Sequence, residues 1–153
     1  MERLHKQIRD NYLRAFDDLL EKSLIDENYD WVLKLYDELR QRIAKQIPKR
    51  TDLHAKIAEE MDITIFEQML KNHCFKGEDL YHLIAYVFGW FEKLQSPARD
   101  ESTEKTKQRV LGMLQTHTFG KIVPAFLRAA HEVLDTIESD KAEFQKRVAE
   151  LKK

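Results

Sequence analysis

At 153 residues, with 35% charged and 42% hydrophobic side chains, the chain is long enough to bury the core of one domain. Its net charge of −1 excludes a global field that would draw in nucleic acid or a membrane surface, and its one cysteine, Cys74, excludes an internal disulfide and suits a reducing compartment. Four glycines, none before Gly77, and three prolines favour long helices with solvated outer faces. The opening, Met1 to Lys6, has no apolar core of signal-peptide type, so an intracellular, cytoplasmic protein without a membrane span is expected.

Between Glu2 and about Lys22, Leu4, Ile8, Tyr12, Phe16 and Leu19/Leu20 recur at helical spacing, opposite a face of Arg9, Asp10, Arg14, Asp17, Asp18 and Glu21. Asp26 to Tyr29 breaks the pattern with cap-forming side chains. A second amphipathic helix then runs from about Tyr29 to Gln46 on Val32, Leu35/Tyr36, Leu39 and Ile43. Pro48 ends it, because proline disfavours helical backbone at Ile47. Thr51 or Asp52 can cap a short third helix holding Leu53, Ile57 and Met61, and Asp62 a fourth holding Ile65, Phe66, Met69 and Leu70. His73 to Gly77 reads as a turn, with Gly77 free to take positive φ.

From about Gly77 to Gln95 the apolar residues fall on every side of a helical wheel, and Leu83 to Phe91 is the most apolar stretch of the chain. That stretch reaches only about half of a ~30 Å hydrocarbon layer, so its enclosure is by protein. Gly89 within it costs roughly 1 kcal/mol against alanine, which close approach of a crossing helix would offset. Ser96-Pro97 restarts the chain as a sixth helix to about Gln115. Its first half, Arg99 to Arg109, is polar enough to jut into solvent before Val110, Leu111 and Leu114 return it to the core. After a loop from Thr116 to Gly120, the residues Val123, Phe126/Leu127, Ala130, Val133/Leu134 and Ile137 mark a last helix, in which Pro124 fits only the first turn. Beyond Ile137 the apolar positions thin to Phe144, Val148 and Leu151, so 138–153 is expected either to project as a helical tail or to pack on a neighbour. The predicted fold is therefore all-α: one domain over 1–153, of six to seven helices around a buried central helix at about 77–95.

No catalytic constellation emerges. His73, Cys74 and His82 lack zinc-ligand spacing and read as an ordinary turn with a semi-buried thiol, so no metal, cofactor or catalytic residue is expected. Arg40, Arg42, Lys45, Lys49 and Arg50 form a basic run without an acid between them, with Arg42, Lys45 and Lys49 on one helical face. This is a candidate surface for phosphate or an acidic partner, the alternative being a solvated helix end whose cations suit the dipole. Without interleaved exposed aromatics it is a poor nucleic-acid footprint. Arg99 falls in a first helical turn, against the dipole, and calls for a partly buried carboxylate partner, the alternative being a role in binding a partner protein; Glu38 and Asp62, in the family-like segments given below, are the leading candidates.

Several stretches resemble one family. Asn28 to Arg40 (NYDWVLKLYDELR) resembles the "NY..vL.Ll.ElR" opening of the t-complex protein 11 family, and Ile57 to Asp62 its "I.E.lD" segment. Leu94 to Glu101 (LQSPARDE) is similar to its "LcaPvRDe" signature, and Val133-Leu134-Asp135 and Asp140 to Phe144 to its "vLD" and "D.anF" positions. The pieces keep their order from about residue 10 to 150. Family members usually continue through a second helical portion. The resemblance implies a non-enzymatic, all-helical regulatory or protein-interaction module, linked to cyclic-AMP-dependent protein kinase signalling, including in sperm function. Pro97, Arg99 and Asp100 carry over as signature positions, and no catalytic residue does. The partner expected is an unidentified protein, with a homo-oligomer left open. The alternative is a self-associating structural or virion-type protein of a large DNA virus, working through 138–153.

Overall fold

The computed structural model describes residues 2–152, which among them form seven α-helices and no strand. In chain order these are α1 (Glu2–Ile25), α2 (Asp30–Lys45), α3 (Thr51–Glu60), α4 (Ile63–Lys71), α5 (Gly77–Leu94), α6 (Asp100–Gly112) and α7 (Phe119–Leu151). Single 3-10 turns at Pro97–Arg99 and Met113–Gln115 flank α6, so the sixth helix expected from Pro97 to Gln115 is tightened at both ends. The all-α bundle is as the periodicity predicts. No described helix is long and apolar enough to cross a membrane.

The helix ends are set by local chemistry. Asp62 caps α4 as expected, its carboxylate accepting from the Ile65 amide at 3.0 Å. Neither Thr51 nor Asp52 caps α3: Arg50 holds the N-cap position, and Asp52 turns out to take two hydrogen bonds from the Arg50 guanidinium, at 3.1 and 3.0 Å. Helices α1 and α4 end alike. Glu27 and His73 take φ of 59° and 55°, and the amides of Asn28 and Cys74 reach back to the Ser23 and Met69 carbonyls. These are left-handed C-caps made without glycine. Gly77, expected to supply the positive φ, is instead the first residue of α5, because the reversal is already complete at His73.

The middle of α5 is enclosed as expected: no residue from Leu83 to Phe91 is exposed, and Ile84, Val87, Phe88 and Phe91 are sealed from water. The helices that cover it are α6 and α7. Gly89, however, marks no helix crossing, since a Cβ there would meet nothing within 4 Å. The tight glycine is Gly120, whose Cβ would stand 3.2 Å from Glu21 Cγ on α1. Pro124 lies beyond the first turn of α7, which begins earlier than the sequence suggests. It has no N–H for the Gly120 carbonyl, and its ring is buried in the apolar body of the helix.

Helix α7 packs on α1, α2, α5 and α6, and it buries Ile122, Val123, Phe126, Leu127, Ala130, Leu134 and Ile137. Helix α6 does not jut into solvent. It lies along α5 and α7, with Thr103 buried on its inner face and donating to Gln95 Oε1 at 2.6 Å. A hydroxyl so satisfied can face a core, which is how a polar stretch still packs. The apolar stripe of α1 is used only in its second half: Phe16 and Leu20 join the core, while Leu4, Ile8 and Tyr12 are exposed. At the other end α7 remains helical to Leu151, with Phe144 and Leu151 exposed.

Phe88 meets Phe91 edge-on at 5.2 Å between ring centroids and is fully enclosed. Phe88→Ala should cost about 3–5 kcal/mol, read as a lower urea midpoint at unchanged slope. A midpoint equal to wild type would show that the centre of α5 is not the packed core.

Candidate interaction surface

The fold takes the basic run apart. Arg42 lies against α7, its Nη2 at 2.8 Å from Asp135 Oδ1 and 3.0 Å from Glu138 Oε2. Its Nη1 donates to His131 Nδ1 at 2.9 Å. A guanidinium only donates, so Nδ1 accepts and the ring proton sits on Nε2, which donates to the Leu35 carbonyl at 3.2 Å. His131 is thereby held neutral. Burial, foremost, and the Arg42 charge push its pKa below the ordinary 6.5, against the opposing pull of the Leu35 carbonyl, Glu38 and Asp135.

The other four cations are scattered. Arg40 pairs with Asp37 on its own helix at 2.7 Å, and Arg50 with Asp52 at 3.0 Å. Lys45 and Lys49 are exposed, with no acidic partner among the described residues. Lys49 does not share a helical face with Arg42 and Lys45, because α2 ends at Lys45 and Lys49 lies in the turn after it. The Lys141 ammonium donates to the Gln46 carbonyl at 3.1 Å, a cation placed where the dipole of α2 favours it.

The corner between α5 and α6 carries Pro97, Arg99 and Asp100. Gln95, the residue closing α5, donates to Asp100 Oδ1 at 2.8 Å and accepts from Thr103, so one side chain ties the two helices across the Pro97–Arg99 turn. Arg99 pairs with Asp140 of α7, its Nε and Nη2 each 2.9 Å from a different carboxylate oxygen. Neither Glu38 nor Asp62 is its partner. The helix passing under the corner is α7, and the Asp62 carboxylate is engaged at the start of α4. Nor is the pair buried as expected: the two side chains are 48% and 32% exposed. Their mutual hydrogen bonds, foremost, raise the Arg99 pKa and hold that of Asp140 below the ordinary carboxylate value.

Around this pair opens a groove of about 720 Å³. Leu94, Ala98, Ile137 and Phe144 supply its apolar wall, and Arg99, Asp140 and Arg147 its polar one. Phe144 is 68% exposed. The groove thus gathers residues from the 94–101 corner and the 140–144 stretch, which are far apart in sequence.

Cys74 is exposed rather than semi-buried, with its thiol 3.4 Å from the Asn72 carbonyl. His73 faces Glu27 at 3.2 Å and His82 faces Glu78 at 3.8 Å. Among the described residues no group of three or more His, Cys, Asp or Glu converges on a common point. The contacts of Gln95, His131, Asp135 and Glu138 were not anticipated from the sequence, Asp135 standing there only as a family position. The last three had a signal: they recur at i, i+4 and i+7, a polar stripe between the apolar positions of the helix.

Fold and surface together define an all-helical protein whose open features are grooves between helices. The sequence matches the model of the T-complex protein 11 family over residues 1–151, and the chain belongs to that family. No solved structure matches it.

Arg42→Ala should destabilise the fold by about 1–2 kcal/mol, and Lys45→Ala by no more than about 0.5 kcal/mol. Equal losses in chemical denaturation would show that the α2–α7 network carries no stability. His131 also gives stability a pH dependence. Its folded pKa is depressed, so between that value and 6.5 the unfolded chain binds more protons. Its contribution is complete above about pH 6.5 and is lost as pH falls through the folded value. Denaturation midpoints at about pH 7.5 and 5.5 should fall further apart in wild type than in His131→Gln, and parallel shifts would contradict the assignment.

Proposed function

We propose that the chain is a non-enzymatic, intracellular protein-interaction module, acting in regulation tied to cyclic-AMP-dependent protein kinase signalling. The kinase link rests on the family resemblance alone. The observation that carries the interaction role is the groove between the α5–α6 corner and α7. Phe144 stands there 68% exposed, beside Leu94, Ala98 and Ile137 and within reach of the Arg99–Asp140 pair. Burying a side chain of this kind is worth about 1.5–3 kcal/mol, which the folded chain alone forgoes and a partner would recover. Paired charges at the rim add orientation more than affinity.

A second reading has its own observation. Phe144, Val148 and Leu151 recur at i, i+4 and i+7 on the last turns of α7, a face on which two copies could pack as in a self-associating structural or virion-type protein. One variant separates the two. Phe144→Asp should keep the wild-type melting temperature and remain monomeric in sedimentation velocity, yet lose the proteins that the wild type retains from its source cell, as quantified by mass spectrometry. Concentration-dependent assembly of the wild type, abolished by Phe144→Asp, would favour self-association. Unchanged capture and unchanged mass would remove this groove from both readings.

A further inference from the structure

A second groove, which shares no residue with the first, lies between α4 and α5. Helix α4 packs on α2, whereas α5 packs on α6 and α7, so α4 and α5 flank a gap that no other helix fills. The gap has a volume of about 420 Å³. Its floor is aromatic: Tyr36 and Phe66 stack at 4.3 Å between ring centroids, and Phe75 meets Phe66 edge-on at 5.2 Å. Ile65, Met69, Leu83 and Tyr86 form its walls. Ile65 is 54% exposed.

The rim is of one sign. Glu59, Glu60, Asp62 and Asp79 line the groove, with His82 the one titratable nitrogen among its lining residues and no lysine or arginine. None of the four carboxylates has a cationic partner within 4.0 Å among the described residues. Asp62 and Asp79 each lend one oxygen to a backbone amide at a helix start, and Glu59 and Glu60 are exposed. Four unneutralised carboxylates around an apolar floor repel one another until a cation arrives. The walls are helices whose backbones are satisfied internally, so they offer no strand edge to an extended peptide. An occupant must therefore bring its own backbone hydrogen bonds.

We infer that the α4–α5 groove docks a basic amphipathic helix of a partner protein, its apolar face on the aromatic floor and its lysines or arginines at the acidic rim. This deepens the reading of the chain as a partner-binding module and rests on it. Helix α4 is about 13 Å long at 1.5 Å per residue, so the bound helix meets the groove over two to three turns, through side chains at i, i+3/i+4 and i+7.

The probe is a fluorescein-labelled peptide of leucine and lysine patterned to place all leucines on one helical face, with binding read by fluorescence anisotropy on the full chain. Two control peptides go with it: one with glutamate for lysine, and one of the same composition scrambled so that no apolar face forms. The leucine–lysine peptide should bind, and weaken as salt is raised. The glutamate and scrambled peptides should bind at least tenfold more weakly. Glu59→Lys with Glu60→Lys, and separately Ile65→Asp, change exposed side chains and should each cost at least tenfold in affinity at an unchanged melting temperature. Phe144→Asp, on the other groove, should bind the peptide as wild type does. Equal binding of all three peptides, or full affinity in both α4–α5 variants, would overturn the assignment. If those variants keep full affinity while Phe144→Asp loses its cellular partners, the α4–α5 groove alone is excluded and the module reading stands.

Discussion

Four helices rest on α7 from different directions, and the rest of the structure follows from what that helix must satisfy. Between Ile122 and Ile137 it presents apolar side chains to α1, α2, α5 and α6, and Ala129 and Ala130 keep part of that surface low enough for close packing. Its polar positions in this span and just beyond it are matched from outside. Arg128 meets Asp17 of α1 at 2.8 Å, His131 and Asp135 meet Arg42 of α2, and Asp140 meets Arg99 at the corner of α6. A helix surrounded in this way fixes its own rotation, because turning it by one residue would set carboxylates against the core and leucines against the arginines.

The sequence shows α5 more clearly than α7 for a physical reason. The apolar run from Leu83 to Phe91 is continuous, whereas α7 interleaves apolar residues with the charges that pair to its neighbours. Periodicity rates those charges as solvated. The same limit accounts for α6, read as projecting because Arg99 to Arg109 is polar, when the Thr103 hydroxyl within it is satisfied by Gln95 and faces the core. Signals that act over a few residues were legible: the Asp62 cap, the stop before Pro48 and the restart at Ser96-Pro97. Signals that depend on which helix passes nearby were not. Gly89 and Gly120 look alike in one dimension, and only the approach of α1 gives Gly120 its constraint. Glycine at a helix end is easy to expect, but Glu27 and His73 take the left-handed position here, and a single sequence gives little warning of that.

The candidate surface was legible to a similar extent. Pro97, Arg99 and Asp100 stood out as a motif, and so did Asp140 to Phe144, but nothing in their spacing said that the two would meet. The bidentate contact between Arg99 and Asp140 joins them. The basic run illustrates the converse. Five cations close together in sequence look like a patch, yet the helix directs Arg42 inward and the end of α2 separates Lys49 from Lys45. A cluster in sequence becomes a patch in space only when the backbone keeps its members on one side.

The pairing of α1 with α7 has a consequence for how the chain comes into being. Asp17 and Arg128 are separated by 111 residues, and Gly120 closes against Glu21 at the same junction. As the polypeptide leaves the ribosome, α1 emerges well before the helix on which it packs. Between them, α2 can meet α3 and α4, and α5 can meet α6, as they are made, while the faces of α2 and α5 that turn to α7 wait as α1 does. Ring closure over so long a span costs conformational entropy that grows only slowly with length. Helix α1 can therefore take its final place only once α7 has been made, so that vectorial translation fixes the order in which the bundle is completed.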